Sequence, residues 1–220
     1  MRNLAAGRRP AIASLLLLAT IALLVLVNSI GVNNRSHRGH HEPKVAILDG
    51  AYAFHFDNLP EMVATSATVV RGTVVGTARG KVIDEDEVAY TRKVLLIQVV
   101  KTLAGQPISG QVTVETAGWR QVDGEAETEF RLVDEIPVST GASGIFFLYD
   151  FEHVGHYGFI DDQGAFLVNG AEVQDSRRTD SLVRALEART VAELEALIEQ
   201  AEAAIRRGEV RAKTYPGTNG

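Results

Sequence analysis

The 220-residue sequence contains no cysteine, two methionines, one tryptophan and six prolines. Without cysteine there is no disulfide framework, no thiolate metal site, no cysteine nucleophile and no lipidated cysteine. An excess of basic charge is missing as well: 28 acidic side chains stand against 22 basic ones, a formal net charge of −6. Hydrophobic residues make up 45% of the chain, enough for its bulk to fold rather than remain disordered. The charge is unevenly spread. Residues 1–41 hold five arginines and no acidic side chain, which leaves 17 basic and 28 acidic residues on 42–220. An acidic folded part argues against nucleic acid as a partner, because phosphate binding needs clustered Lys and Arg. It argues equally against adsorption of that part to anionic lipid.

From Ala11 to Val27 the chain reads AIASLLLLATIALLVLV, uncharged throughout, with Arg8, Arg9 and Pro10 just before it. At 1.5 Å per residue this run spans about 26 Å as a helix, and extension to Val32 gives about 33 Å, which brackets a bilayer core. The spacing predicts a transmembrane signal-anchor over 11–32 behind a cytoplasmic N-terminus at 1–10. A cleaved signal peptide is the competing reading, although Val27-Asn28-Ser29 is a poor small-residue cleavage site. In either case residues 42–220 lie outside the cytoplasm. The polar segment from Asn28 to Lys44 lacks periodicity, and a linker is assigned over 33–56. Its histidines, His37, His40 and His41, read as a solvated stretch rather than a metal tract, since a flexible segment holds no ordered second shell.

A folded domain is expected over 57–170. Asp57 or Asn58 N-caps a short helix, with Pro60 in its first turn and Leu59, Met62 and Val63 on one face. Ala67–Thr77 is rich in β-branched residues, and Gly72 at its centre suggests a bulge. Tyr90–Leu103 reads as a long strand covered on both faces at Val94–Ile97. Gln111–Ala117 alternates with Val112 and Val114 inward, and Asp123-Gly124 is a turn signal. Ile145–Tyr149 reads as a buried strand. Tyr157–Ile160 and Ala165–Val168 read as a hairpin about Asp161-Asp162-Gln163-Gly164.

A helical segment follows over 171–208. A turn or two at Ser181–Ala188 precedes a helix opened by a capping box of Thr190 and Glu193. Val191, Leu194, Ile198, Ala201 and Ile205 form its apolar stripe, with Glu195, Glu199 and Glu202 facing away. Arg206 and Arg207 suit the negative helix end and Gly208 the stop. The stripe is expected to pack on the strands. Residues 209–220 read as a loose tail.

Chemistry-bearing motifs are scarce. Gly76-Thr77-Ala78-Arg79-Gly80-Lys81 has the wrong glycine spacing for a phosphate loop, and Val82 stands where a magnesium-binding hydroxyl belongs, so a hairpin turn is expected there. Thr140-Gly141-Ala142-Ser143-Gly144 fails as a nucleophile elbow, since its second glycine comes a residue early and a strand follows. His153 and His156 are weak candidates for a metal site, read instead as a surface turn for want of a further ligand. Asp84-Glu85-Asp86-Glu87 lacks the spaced acceptors of a calcium loop and reads as a solvated hairpin tip. No catalytic residue, metal ligand or cofactor is therefore assigned, and the ligand-binding residues are unknown.

Three segments together carry a resemblance: LPEMVATSATVVRGTVV (Leu59–Val75), VVKTLAG (Val99–Gly105) and GIFFLY (Gly144–Tyr149). A short helix, a strand with a central glycine, a long strand ending in Lys-x-x-x-Gly and a Phe-rich strand resemble uncharacterised secreted or anchored bacterial domains. Those are similar in turn to the OB-fold barrel of netrin-like and tissue-inhibitor-of-metalloproteinase-like modules. The resemblance covers about Leu59–Val168. It implies a barrel and a binding role, and the missing cysteines set the chain apart from the animal modules. The fold expected is α+β: a small, mainly antiparallel OB-like β-barrel between a short N-terminal helix and a C-terminal amphipathic helix, preceded by one transmembrane helix. The function expected is that of a non-catalytic, membrane-anchored extracytoplasmic binding module. Its partners are the membrane, through 11–32, and an envelope protein or cell-wall component. Two alternatives are a metal-dependent envelope enzyme centred on His153 and His156, and a structural assembly factor that recruits partners through the C-terminal helix.

Overall fold

In the computed structural model the described residues are 45–48, 54–85, 88–122, 125–132, 136–150, 157–176 and 178–214. The chain divides into two units, 1–41 and 42–220, and every described residue belongs to the second. The transmembrane helix expected over 11–32 lies outside the described residues, as do His37, His40 and His41. Among the described residues no helix is long and apolar enough to cross a membrane.

Strand β6 (Ser143–Asp150) shows how the sequence builds two cores at once. Successive side chains of a strand point to opposite faces. Phe146 and Leu148 accordingly join one buried cluster with Val70, Val74, Leu95, Ile97, Val112 and Val114. Ile145 and Phe147 join the other, with Val69, Phe166 and the helices. A run of five apolar residues is therefore covered on both sides, as expected for IFFLY.

The first cluster fills a ring of strands. β2 (Thr68–Glu85) pairs antiparallel with β3 (Val88–Gly105), and β3 with β4 (Gln111–Val122). β2 also pairs with β6. β7 (Tyr157–Phe159) closes the circuit, antiparallel to β6 and parallel to β4 through Val114↔Tyr157. Outside the ring, β5 (Thr128–Leu132) adds to β4, and β1 (Val45–Leu48) adds parallel to β5. At the other end β8 (Ala165–Asn169) adds to β6, and β9 (Glu172–Val173) to β8. The architecture is thus α+β, mostly strands joined in one sheet that closes into a ring.

Closure demands curvature, and the β2–β3 ribbon supplies it through four register shifts. Val75 and Val100 are extra residues at two of them, which removes them from the alternation and leaves them 47% and 69% exposed. Gly72 stands at a shift where a Cβ would come within 2.7 Å of the Gln98 carbonyl oxygen, so the expected central bulge is present and only glycine fits it. One expectation fails here. Gly76–Lys81 is not a hairpin turn but the continuation of β2, which runs to Glu85 before reversing. Bulges after Val74 and Arg79 absorb the glycines without ending the strand.

The second cluster lies between the outer face of the sheet and three helices. α1 (Leu59–Thr65) is capped by Asn58, whose Oδ1 accepts the Glu61 N–H at 3.0 Å, and it buries Leu59, Met62 and Val63. α2 spans Ser181–Glu187 behind an Asp180 cap. α3 (Val191–Arg206) opens on the expected box, with Thr190 Oγ1 accepting from Glu193 N and Glu193 Oε2 accepting from Thr190 N. Its Val191, Leu194, Ile198 and Ala201 are buried on the sheet and α1, with Leu197 and Ile205 packed beside them. Burying those first three side chains contributes about 5–8 kcal/mol of gross transfer energy.

Glu195 departs from the expected wet face. Its carboxylate accepts from Arg71 of β2 at 2.9 Å and Lys101 of β3 at 3.1 Å, and the side chain is 15% exposed. The residue flanks the stripe rather than opposing it, so the helix presents it to the two cations of the sheet. Burial raises the Glu195 pKa, but the bonds from Arg71 and Lys101 outweigh it and hold the carboxyl below the ordinary range.

The expected hairpin of β7 and β8 is also corrected. The two do not pair with each other; both lie antiparallel along the same edge of β6, β7 against Leu148–Asp150 and β8 against Ser143–Phe146. Asp161–Gly164 loops out between them, closed by Phe147 N to Gly164 O at 2.8 Å and Ile160 N to Phe147 O at 3.0 Å. The sequence signal of a tight turn was present, but one partner strand serves both flanks.

Candidate functional site

At one end of the ring the strand register brings charged side chains over the apolar interior. On β3, Lys93 has the same parity as Leu95 and Ile97, which point into the ring core. It stands where the core gives out, at the mouth. A cleft of about 310 Å3 opens there, with Ile136, Val138 and Phe159 from the edge of the ring core among its lining residues. Its charged wall is Lys93 with Glu129 and Arg131 of β5, and Thr116 and Ser139 add hydroxyl groups.

The backbone shapes this mouth. Between Thr91↔Trp119 and Lys93↔Thr116 β4 carries one extra residue, and Gly118 sits in that bulge. A Cβ on Gly118 would lie 2.3 Å from the Thr91 carbonyl oxygen and 2.6 Å from Lys93 N. Glycine therefore lets β4 approach the backbone that carries Lys93. Thr91, Trp119 and Glu129 form one row across β3, β4 and β5 on the same face. Beyond the row, the Arg79 guanidinium lies 4.6 Å over the Trp119 ring and makes a bidentate pair with Glu127.

Electrostatically the cleft is lopsided. Glu129 Oε1 lies 3.5 Å from Lys93 Nζ and 3.7 Å from Arg131 NH2, so two cations share one carboxylate at distances longer than a hydrogen bond. Lys93 and Glu129 are 22% and 20% exposed, and Arg131 35%.

A second polar group lies under α2 and serves the fold. Arg178 is buried and bonds Glu187 at 3.0 Å, Ser176 Oγ at 2.7 Å and the carbonyls of Asp162 and Ala165. Gln163 reaches from the inserted loop to the backbone of Phe56, accepting from its N–H at 2.9 Å and donating to its carbonyl at 3.0 Å. Asp161 Oδ1 accepts the Gln163 N–H at 2.8 Å, whereas Asp161 Oδ2 is buried without a hydrogen-bond partner. Burial, with the neighbouring Asp162 charge adding to it, pushes the Asp161 carboxyl up to about 8. Lys213, placed by the sequence in a loose tail, is tied back: its N–H donates to Thr65 Oγ1 at 2.9 Å and its ammonium to the His55 carbonyl at 2.5 Å.

The residues singled out in the sequence lie elsewhere. His153 and His156 are outside the described residues. Among the described residues no group of three His, Asp or Glu is arranged to hold a metal ion. Asp84 and Glu85 end β2 and pair with Ala89 and Val88 across the ribbon. Ser143 begins β6, and its Oγ shares a 2.8 Å hydrogen bond with Thr73 Oγ1. Sequence reasoning missed the cleft because its walls come from separate segments. A lysine at an inward register of an apolar strand was the one signal that could have found it. No protein-family model matches the chain, and no curated protein matches it in sequence.

Proposed function

We propose that the protein is a membrane-anchored extracytoplasmic binding module that acts without catalysis, and that its ring is an OB-like barrel. The observation that carries the reading is the cleft of mixed polarity at the mouth of the closed ring, the place where small barrels hold ligands. The strand order supports the barrel. Numbered along the chain, the ring strands β2, β3, β4, β6 and β7 run first, second, third, fifth, fourth and back to first, with only the third and fifth parallel. That order supports an OB-like arrangement of the ring. The apolar run at 11–32 supports the anchor, and an envelope protein or cell-wall component is the partner class. Among the described lining residues a carboxylate, Glu129, is flanked by two cations, Lys93 and Arg131, an arrangement suited to holding a charged ligand.

The test is capture by the full-length chain in native envelope membranes after chemical cross-linking. Wild type and Arg184→Glu, on the exposed face of α2, are expected to retain the same partner, and Arg131→Glu to lose it. Retention by all three would remove the cleft from the reading. Extraction of the chain by alkaline carbonate would remove the anchor.

A further inference from the structure

We infer that the cleft at the ring mouth takes a carboxylate joined to an apolar body, such as an acyl or aromatic acid or the terminal carboxylate of a peptide; this rests on the reading of the cleft as the binding site. The charge is the first ground. Among the described residues of the wall two cations face one carboxylate, so these side chains keep an excess positive charge in a chain whose net charge is −6. The donors are the second. An ammonium carries three donors and a guanidinium five, and those of Lys93 and Arg131 meet Glu129 only at 3.5 and 3.7 Å. A ligand carboxylate would draw short, charge-assisted bonds from both without displacing a good bond. The third ground is the lining: Ile136 and Phe159, partly buried, pack against the ring core beside the buried Val138 and offer apolar surface next to the cations. A bare anion would leave that surface unused. A cation would face the excess positive charge.

Four probes applied to the full-length chain in detergent micelles test this by saturation-transfer NMR and calorimetry. They are 3-phenylpropionate, its primary amide, 3-phenylpropylamine and inorganic phosphate. Phenylpropionate should bind about tenfold or more tightly than the other three, in line with a hydrogen bond to a charged group. Arg131→Gln should weaken it by a similar factor, Arg131→Lys should recover part of the loss, and Arg184→Gln should change nothing. Unchanged thermal melting of Arg131→Gln would show that the loss is local. N-acetylphenylalanine then separates the sources: tighter binding than phenylpropionate points to a peptide terminus, equal or weaker binding to a free acid. Equal binding of acid and amide, phosphate binding as tight as the acid, or an acid affinity untouched by Arg131→Gln would overturn the proposal. Partner capture that still depends on Arg131 would in that case leave the binding reading standing. Acid binding with no cleft-dependent capture would do the reverse.

Discussion

Asp161→Asn replaces a buried acid by a neutral group of the same shape. The loop that carries it is closed on both sides by bonds to Phe147, so the carboxyl has no easy route to water. Oδ1 already accepts from Gln163 N, an interaction that asparagine keeps. Oδ2 has no hydrogen-bond partner, and Arg178, whose charge acts on Asp161, is engaged with Glu187 and Ser176. An acid at about 8 in the folded state, against about 3.8 unfolded, binds its proton more tightly when native. Its contribution to stability is therefore fully present below about pH 4. It is lost at about 1.4 kcal/mol per pH unit as pH rises to about 8, where the native group ionises as well. At pH 7 the raw figure is about 4 kcal/mol. Relaxation of the loop and entry of water reduce it, and we expect Asp161→Asn to stabilise by about 2–4 kcal/mol at pH 7–8, or about 5–10 °C in melting temperature. At pH 4 variant and wild type should be nearly equal. The assay is urea and thermal unfolding of both proteins across pH 4–9, with the difference between the two slopes assigned to this one carboxyl. Parallel slopes would show that Asp161 is solvated or paired. A variant less stable than wild type at pH 8 would show that the carboxylate is needed charged.

Other perturbations test the two cores and the mouth. Leu194→Asp puts a charge into the fully buried interface of α3 and the sheet and should cost several kcal/mol, whereas Glu195→Ala should cost about 1 kcal/mol through its half-exposed partners Arg71 and Lys101, both read by chemical denaturation. Gln163→Ala strips the Phe56 N–H and carbonyl of their partners and should cost about 2–4 kcal/mol; faster hydrogen exchange of the Phe56 amide than of the ring strands is the local check. Gly118→Ala forces β4 away from β3 and should cost about 1–3 kcal/mol while shifting the Lys93 amide resonance, so an unmoved resonance would argue against the close approach.

The features legible in the sequence are those decided within one segment. The Thr190–Glu193 box, the Leu194–Ile198 stripe and the Asn58 cap depend on neighbours three or four residues apart, and all are present. IFFLY was legible as buried because only a doubly covered strand tolerates five apolar residues in a row. What could not be read depends on partners distant in sequence. Gly76–Lys81 carries turn residues, but β3 pairs with it through bulges. Asp161–Gly164 carries a turn signal, but β6 pairs with both flanks. Glu195 sits beside an apolar stripe, and only the placement of Arg71 and Lys101 makes it a contact residue. The cleft is the extreme case, since β3, β4, β5, β7 and the segment before β6 meet there only after the ring closes.

The route by which the chain enters the ring has a mechanical consequence. A pull on the chain ahead of Val45 meets β1 first, a four-residue ladder on β5 that can be peeled from the sheet margin. Only then does tension reach Phe56, where the two Gln163 bonds act as a clasp and Lys213 bears on the Phe56 ring from 5.1 Å. The ring and its helices would feel the load last. Two fasteners in series would therefore yield before the cleft loses its shape, so a load that already peels β1 leaves the ring mouth intact.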